Sequence, residues 1–252
     1  MNRRQMEILA VINRSGHGMV SELAEQFAVT EMTIRRDLKL LEKSGKVSRI
    51  HGGAVPSSTL PLGTDVLIAP ATREQIVIAE QVVKHIPPGS TVMLNVGTTV
   101  LQVAREIARC QLELTVVTNS LPVAITLYQS ECHVLLTGGC LRRQSLDLTG
   151  PVTEQNIDEY HVDMLIAGCD GAVADEGFFT KDVNLAAMEQ KAVRIASKVV
   201  IVTESHKFAK RSLAKFADIS DVSMIVTDDK ISSADVATLK RQKITLLCGN
   251  SD

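Results

Sequence analysis

Four short segments of the chain consist mainly of small residues and of hydroxyl, amide or carboxyl side chains, a composition that could bind an anion. They are Gly97-Thr98-Thr99, Asn119-Ser120, Thr137-Gly138-Gly139 and Gly168-Cys169-Asp170-Gly171. Small residues and hydroxyls at strand ends that lead into helices offer backbone N–H groups and O–H groups to a ligand. A phosphate group fits that chemistry, and Arg142 or Arg143 could add a charged clamp.

These segments need a scaffold that brings them together, and the surrounding pattern predicts one. Apolar runs predict strands at 91–96, 114–118, 133–137, 164–167, 199–203, 224–227 and 244–247. Helical patterns are found at 99–109, 121–129, 183–197 and 232–241. Continuous apolar strands alternating with helices are typical of a parallel sheet covered on both faces, an α/β Rossmann-like layer. Such sheets bind ligands at the carboxyl ends of their strands, where the four segments would lie.

Two other interpretations of this part of the chain stay open. Glycine, threonine and asparagine are also ordinary turn and capping residues. If they have only that role here, this part of the chain would serve only for oligomerisation. Alternatively, the site could be that of a sugar-phosphate isomerase or deaminase, with Asp170, Glu154 or Lys207 as acid–base groups. The sequence shows one acid, Asp170, at a clear strand end, and we predict no catalytic residue.

The first 55 residues have a different pattern, which predicts three helices. The first covers 4–14, and the second begins near Ser21, whose side chain is a suitable N-cap. Thr30 can cap a third helix over 31–44, which Gly45 would end. Two short helices joined by a tight turn in this way predict a helix-turn-helix, a DNA-binding motif.

The third helix has an apolar side and a basic side. Ile34, Leu38 and Leu41 recur at the spacing of a buried stripe. At about 100° per residue, the opposite face carries Met32, Arg36, Lys39 and Lys43, with Arg35 at its flank. A recognition helix presents such a face to the major groove, although a solvated face without DNA is the alternative.

A β-wing is predicted after the third helix. Residues 46–51 partly alternate between apolar and polar side chains and lead into Gly52-Gly53, a pattern that indicates a strand and its turn. Arg49 and His51 would then contact DNA phosphates. Together with the three helices, this strand predicts a winged helix-turn-helix.

Charge and composition divide the chain into two parts. The 252 residues carry a net charge of −2, but residues 1–55 hold nine Lys or Arg against six Asp or Glu, a net of +3. Residues 55–71 lack periodicity, so we predict a DNA-binding domain at 1–55, a linker at 56–72 and a second domain at 73–252. The five cysteines lack metal-ligand spacing, and the N-terminus lacks an apolar leader. We therefore expect a cytoplasmic protein that holds no metal or cofactor.

The N-terminal residues carry a resemblance. The run from Ser21 to Leu38, which includes Thr33-Ile34-Arg35-Arg36-Asp37-Leu38, and the later Arg49-Ile50-His51-Gly52-Gly53-Ala54 together resemble the DeoR family of bacterial regulators. The resemblance implies that the helix bearing residues 33–38 is the recognition helix and that Asp37 supports it internally. From the pattern and the resemblance we predict these DNA-binding residues: Ser21, Thr30, Met32, Thr33, Arg35, Arg36, Lys39, Arg49 and His51.

The C-terminal loops are similar to those of the same family's effector domain. That domain has the fold of ribose-phosphate and glucosamine-phosphate isomerases and senses phosphorylated sugars or related metabolites. The effector-binding residues predicted on this basis are Asn95, Gly97, Thr98, Thr99, Thr118, Asn119, Ser120, Gly138, Gly139, Arg142, Asp170, Gly171 and Lys207.

Three positions differ from what is usual in the family. Asn95 stands where Asp is usual, Glu204 begins a segment that usually starts with Asp, and Gln75 replaces a common Lys. Losing the carboxylate at residue 95 removes an acceptor for sugar hydroxyls or amines, so the effector of this chain could differ from that of other members.

The resemblance also implies partners and a mode of action. It implies a homo-oligomer, a dimer or tetramer, that binds a double-stranded DNA operator. A small phosphorylated sugar would release repression of a carbohydrate-metabolism operon, and no membrane is involved.

Overall fold

The computed structural model describes residues 3–44, 46–50, 52–56 and 70–250. His51, Gly45 and residues 57–69 of the predicted linker lie outside the described residues. In the described ranges, none of the helices has the length and apolar character needed to cross a membrane. The chain divides into two compact units, Met1–Pro61 and Leu62–Asp252.

The N-terminal unit packs three helices against a small antiparallel sheet. In chain order its elements are α1 (Arg3–Ser15), β1 (Gly18–Met19), α2 (Val20–Gln26), α3 (Glu31–Lys43), β2 (Val47–Ile50) and β3 (Gly53–Pro56). The strand order is β1-β3-β2, so the second wing strand, which the sequence pattern did not indicate, lies in the middle. Strand β3 extends to Pro56, the first residue of the predicted linker.

The core of this unit contains the predicted apolar stripe of α3. Ile34, Leu38 and Leu41 are at most 1% exposed, as predicted. They pack with further buried side chains from the other elements: Ile8, Ile12, Val20, Leu23, Val47 and Ala54. The apolar face of α3 is therefore fixed inward, which turns its basic face to solvent.

One helix start differs from the prediction. Helix α2 begins at Val20, directly after β1, and its N-cap residue is Met19, which makes no side-chain capping bond. Ser21 therefore lies inside the first turn of α2, exposed to solvent, and is not the N-cap. The reason is that pairing of β1 with β3 fixes the chain up to Met19 and leaves the helix to start at once.

The C-terminal unit is an α/β layer around a parallel sheet. Its helices are α4 (Arg73–Val83), α5 (Thr98–Arg109), α6 (Leu121–Leu127), α7 (Pro151–Asp158), α8 (Val183–Ile195) and α9 (Ser233–Arg241). The strands of the main sheet are β4 (Thr91–Leu94), β5 (Thr115–Thr118), β6 (His133–Leu136), β9 (Met164–Ala167), β12 (Val199–Val202), β14 (Met224–Asp228) and β15 (Thr245–Gly249). The order is β15-β14-β12-β9-β4-β5-β6, and every pairing is parallel. The predicted α/β fold with a parallel sheet is confirmed.

Smaller antiparallel elements flank this sheet. Strands β7 (Cys140–Arg142) and β8 (Asp147–Thr149) form a hairpin, and β10 (Gly171–Val173), β11 (Gly177–Thr180) and β13 (Ala214–Asp218) form a three-stranded sheet. The sequence pattern predicted neither of them, nor helices α4 and α7. Each of these strands is short, and the pairing of β11 with β13 joins residues that are far apart in the chain, such as Gly177 with Asp218.

Candidate functional site

Helix α3 presents the predicted basic face. Its first turn is fixed by Thr30, whose Oγ1 accepts a hydrogen bond from the backbone N–H of Thr33 at 3.4 Å, as predicted for an N-cap. Met32 is 75% exposed, and Arg36 and Lys39 are also exposed. A helix whose N-terminal turn and basic face are both open to solvent has the geometry needed to enter a DNA major groove.

Asp37 lies on α3 but faces inward. It is 3% exposed, and its carboxylate accepts hydrogen bonds from Arg4 Nε at 2.7 Å and Gln5 Nε2 at 2.9 Å. Both donors are on α1, so this carboxylate ties α1 to α3. The geometry agrees with the expected internal role, because a buried carboxylate that is hydrogen-bonded on both oxygens is held in place and kept away from DNA phosphates.

Two predicted DNA-binding arginines have carboxylate partners at the surface. Arg35 Nη2 lies 2.9 Å from Glu31 Oε2, one turn earlier on α3, and Arg49 Nη1 lies 4.0 Å from Glu42 Oε2. Exposed pairs of this kind contribute about 0 to 1 kcal/mol, so phosphate groups can replace the carboxylates at little cost. The structure leaves both guanidiniums accessible.

The sheet of the C-terminal unit has a switch point between β4 and β9. From β4 the chain adds β5 and β6 on one side, then crosses over to add β9, β12, β14 and β15 on the other. Ligands of open parallel sheets bind in the crevice outside the carboxyl ends of the strands at such a point. The predicted loops that begin at Asn95 and Gly168 flank this crevice.

Asn95 follows β4 and is completely buried. Neither Nδ2 nor Oδ1 of its side chain has a hydrogen-bond partner, and Oδ1 of Asn119, after the neighbouring β5, has none either. Across the described ranges, only two other buried side-chain atoms share this state, Glu189 Oε2 and Thr227 Oγ1. Because buried polar groups are normally paired, their concentration after β4 and β5 indicates a place where partners from a ligand or water belong.

Helix α5 begins beside Asn95. Its N-cap is Gly97, with a φ of 123° and no side-chain capping bond. A glycine fits here because other residues rarely adopt this backbone conformation. The N-terminal N–H groups of a helix with an uncapped start are donors for an anion, and the helix dipole favours negative charge there.

A hydrogen-bond network that was not predicted lies against this helix start. Glu204, at the carboxyl end of β12, accepts from Thr99 Oγ1 at 2.6 Å and from Gln75 Nε2 at 3.4 Å. Gln75 also donates to Thr98 Oγ1 at 3.0 Å, and Lys207 Nζ lies 3.7 Å from Glu204 Oε1. The network brings together Thr98, Thr99 and Lys207, three of the predicted effector-binding residues. It adds Gln75 and Glu204, which were not among the predicted site residues. Both differ from the residue that is usual in the family at that position, and this difference was the signal in the sequence that could have identified them.

Thr118 and Ser120 are buried and shape the turn after β5. Thr118 Oγ1 donates to the carbonyl of Leu94 at 2.7 Å and accepts from the backbone N–H of Ser120 at 3.1 Å. Ser120 Oγ in turn caps α6 by accepting from the N–H of Val123. These two hydroxyls already have internal partners, so their role in the structure is to position Asn119.

The Gly138-Gly139 segment is held by α7. Thr153 Oγ1 donates to the carbonyl of Gly138 at 2.7 Å, and a Cβ on residue 139 would lie 2.0 Å from that same Oγ1. Gly139 is therefore needed for close packing as well as for its φ of 124°. Packing explains Gly171 in the same way, because a Cβ there would lie 2.4 Å from the carbonyl oxygen of Lys210.

Arg142 differs from its predicted role as a free anion clamp. Its guanidinium pairs with Asp147 at 2.7 Å and with Asp182 at 2.6 Å. Asp147 is fully buried and needs this cation to compensate its charge. Two carboxylates thus occupy the guanidinium, and Arg142 holds the β7–β8 hairpin to the start of α8.

Glu189 has a buried carboxyl group that was not predicted from the sequence. Glu189 on α8 is 2% exposed, and its Oε2 atom lacks a partner. Burial, followed by the negative charge of Asp170, raises the pKa of Glu189 well above its usual value. Its burial could not be predicted from the sequence, because an acid within an amphipathic helix is ordinarily interpreted as exposed.

The carboxylate of Asp170 already has hydrogen-bond partners at the end of β11 and directly after it. It accepts from the N–H of Lys181 at 3.0 Å and from Thr180 Oγ1 at 3.3 Å. Lys207, another group considered for acid–base chemistry, contacts Glu204 instead. Asp170 and Lys207 thus have separate partners and do not form one acid–base pair.

A separate cavity of about 400 Å³ contains none of the predicted residues. It lies between the end of α8 and strand β13, and its lining includes Gln190, Arg194, Ser197 and Phe216. The unpartnered atoms and the uncapped helix lie instead after β4 and β5, and they define the candidate ligand site better than cavity size does.

Comparison with known proteins adds family membership to this geometry. A model described as "DeoR-like helix-turn-helix domain" matches residues 4–59, and one described as "DeoR C terminal sensor domain" matches residues 71–229. The chain is similar to the uncharacterised HTH-type transcriptional regulator YulB of Bacillus subtilis, with 33% identity over 96% of this chain and 94% of the relative. It is 30% identical to the HTH-type transcriptional regulator GlpR of Haloferax volcanii, over 98% and 97% of the two chains.

The chain is also similar to a third relative and to one solved structure. The glycerol-3-phosphate regulon repressor of Escherichia coli K12 is 32% identical, over 90% of each chain. Ribose 5-phosphate isomerase A from Methanocaldococcus jannaschii aligns with 54% of each chain at 19% identity and a TM-score of 0.39, a likeness too low to support an argument.

Proposed function

We propose, from the premise that this chain belongs to the DeoR family of transcriptional regulators, that it represses an operon of carbohydrate metabolism. A phosphorylated sugar or related metabolite bound to the C-terminal unit would control its hold on DNA. The name of the Escherichia coli relative, a repressor of the glycerol-3-phosphate regulon, supports a phosphorylated metabolite as the signal.

The DNA-binding role is supported by one observation above all: the basic face of α3 is exposed to solvent, while the opposite, apolar face of the same helix is packed in the core. We propose that Met32, Thr33, Arg36 and Lys39 lie in the major groove. The remaining predicted residues would contact the phosphate backbone: Ser21, Thr30, Arg35, Arg49 and His51.

For the ligand, we propose the crevice between β4 and β9. The N–H groups at the start of α5, from Gly97 to Thr99, would bind the phosphate, with Lys207 as the nearby cation. Asn95 and Asn119 would contact the rest of the ligand. Arg142 and Asp170 would hold the surrounding loops, since their charges already have partners.

Oligomerisation is the third part of the proposal. Four exposed apolar side chains occur on the β6 edge of the sheet, its neighbour α6 and the β7–β8 hairpin: Ile125, Tyr128, Leu136 and Leu141. We call them the edge patch. An exposed apolar group of this kind is typical of a protein–protein contact, and a second copy of the chain would cover it. The assembly would act in the cytoplasm, where it reaches its operator.

The DNA-binding role is tested with an operator selected from random DNA by the purified chain. Arg35→Ala and Arg36→Ala should each weaken operator binding by at least tenfold, while Lys240→Ala, an exposed change on α9, should not. Fluorescence anisotropy at a fixed salt concentration measures all four proteins. Equal affinities for operator and random DNA would overturn the proposed function.

The control by a metabolite is tested by operator release. Pentose, hexose and triose phosphates are added to the protein–operator complex, and a ligand that binds the folded chain should also raise its melting temperature. We propose that the ligand is bound without being converted, so the same compounds should be recovered unchanged after incubation. Turnover of any of them would favour an enzyme.

A further inference from the structure

Asn95 and Asn119 have side-chain amides that the fold buries without satisfying. Asn95 is 0% exposed with both amide atoms unpartnered, and Asn119 donates through Nδ2 to the carbonyl of Leu148 at 3.0 Å while its Oδ1 stays unpartnered. A buried polar atom without a partner costs free energy, which an apolar side chain would avoid. The fold gains nothing from these three atoms unless another molecule binds them.

The two residues are neighbours across the sheet. Leu94 of β4 pairs with Thr118 of β5, so Asn95 and Asn119 occupy the next position on each strand. Paired strands lie about 4.8 Å apart, a distance that one sugar carbon skeleton can span. Asn95 lies two residues before Gly97, the uncapped start of α5, where the phosphate is proposed to bind.

The chemistry of this pair selects for hydroxyl groups. An amide offers both a donor and an acceptor and has no charge, and a hydroxyl group can both donate and accept. A protonated amine, in contrast, only donates and carries a positive charge that needs a carboxylate when buried. Glu204 does not supply one, because it already accepts from Thr99 and pairs with Lys207.

We infer that Asn95 and Asn119 make the site specific for a phosphorylated polyol or sugar whose groups other than the phosphate are uncharged, and against an amino-sugar phosphate. This inference rests on the proposed function and adds the class of ligand. Sites built to hydrogen-bond a particular group reject analogues that lack it strongly, because their buried polar atoms are then left unpaired.

The test uses two matched pairs of compounds, each differing by one hydroxyl exchanged for an amine. They are glucose 6-phosphate with glucosamine 6-phosphate, and glycerol 3-phosphate with the phosphate of 2-amino-1,3-propanediol. Isothermal titration calorimetry on the full chain should show at least tenfold tighter binding of the hydroxyl compound in each pair of which either member binds. Equal or tighter binding of the amine compound would overturn the inference.

Variants of Asn95 distinguish a role in ligand binding from a structural role. Asn95→Leu should lose at least tenfold in affinity for the hydroxyl compound, while the melting temperature of the unliganded protein stays equal or rises. Asn95→Asp should shift the preference toward the amine compound by at least tenfold, and Asn13→Asp, the same change at an exposed residue of α1, should not. Unchanged affinity in Asn95→Leu, or a lower melting temperature without ligand, would also overturn the inference, and neither result requires Asn95→Asp to fold.

Failure of this inference is distinguishable from failure of the proposed function. If none of the four compounds binds, the inference falls, whereas the proposed function is decided by operator release with the wider set of phosphates. If a hydroxyl compound binds but does not release the operator, the inference holds and the proposed control by that compound fails.

Discussion

At the scale of single residues, the buried carboxyl group of Glu189 makes the stability of the C-terminal unit depend on pH. Burial and the nearby charge of Asp170 raise its pKa well above the usual value, so the folded chain binds this proton more tightly than the unfolded chain does. The stability that the proton contributes is fully present below the unfolded pKa of about 4.3 and is lost as pH rises toward the raised folded pKa.

Glu189→Gln should therefore stabilise the C-terminal unit more as pH rises from about 4 to 8. Urea unfolding followed by tyrosine fluorescence measures this unit alone, because Tyr128 and Tyr160 are the two tyrosines and the chain has no tryptophan. The gain in midpoint should approach zero near pH 4. The same substitution at the exposed Glu131 is the control, and a gain that does not vary with pH would contradict the buried titration.

Asp37 illustrates the opposite use of a buried carboxylate. Its charge is compensated by Arg4 and hydrogen-bonded by Gln5, so it links two helices without loss of stability from an unpaired charge. The family resemblance implied this internal role from the sequence. It could not name the partners, since α1 and α3 meet only through the tertiary fold.

At the scale of elements, sequence reasoning succeeded where a pattern was local. The strand 164–167 was predicted with its observed bounds, and the stripe of Ile34, Leu38 and Leu41 was confirmed as core. The first sheet strand was predicted to reach residue 96 but ends at Leu94, because the chain turns toward the switch point from Asn95 onward. The hydropathy pattern of residues 91–96 does not show where this turn begins.

The candidate site was predictable only in part for the same reason. Strand-end loops are visible in the sequence, so Gly97, Thr98 and Thr99 were identified together. Gln75 lies 129 residues from Glu204, its hydrogen-bond partner, and a contact of that range leaves no periodic signal. Arg142 looked like a free clamp because its partner Asp182 lies 40 residues farther along the chain.

The two cap assignments of the helix-turn-helix give a matched prediction. Thr30→Ala removes a side-chain cap of α3 and should destabilise that helix by about 1 kcal/mol, whereas Ser21→Ala should cost about nothing, because Ser21 lies inside α2. Hydrogen exchange of peptides from α3 should show about fivefold lower protection in Thr30→Ala. If Ser21→Ala reduces protection of α2 as strongly, Ser21 is the cap after all.

At the scale of the whole molecule, the weak charge of the DNA-binding unit has a consequence. A net of +3 on residues 1–55 allows few phosphate contacts, and the remainder of the chain carries −5. One copy should therefore bind DNA weakly. Linking two copies raises the effective concentration of the second one, so operator affinity should depend on the assembly of the C-terminal units.

Substitutions in the edge patch test whether operator affinity depends on assembly. Ile125 on α6 is 58% exposed, and Tyr128, the C-cap residue of α6, is 81% exposed. They lie beside β6, the outermost strand of the main sheet in the part of the chain that the structure describes. Ile125→Glu combined with Tyr128→Glu should lower the mass measured by sedimentation to that of a single chain, because charged groups disfavour burial of the patch. Operator affinity should fall by at least tenfold in the same variant.

The matched control is Leu213→Glu, which places a charge on an exposed apolar residue before β13, outside the edge patch. It should keep both the assembly and the operator affinity. Circular dichroism should show that both variants keep their secondary structure, since every substituted side chain is exposed. If the α6 variant remains assembled, another surface joins the copies. If it separates into single chains but keeps full operator affinity, one helix-turn-helix unit suffices, and the link between assembly and DNA binding is wrong.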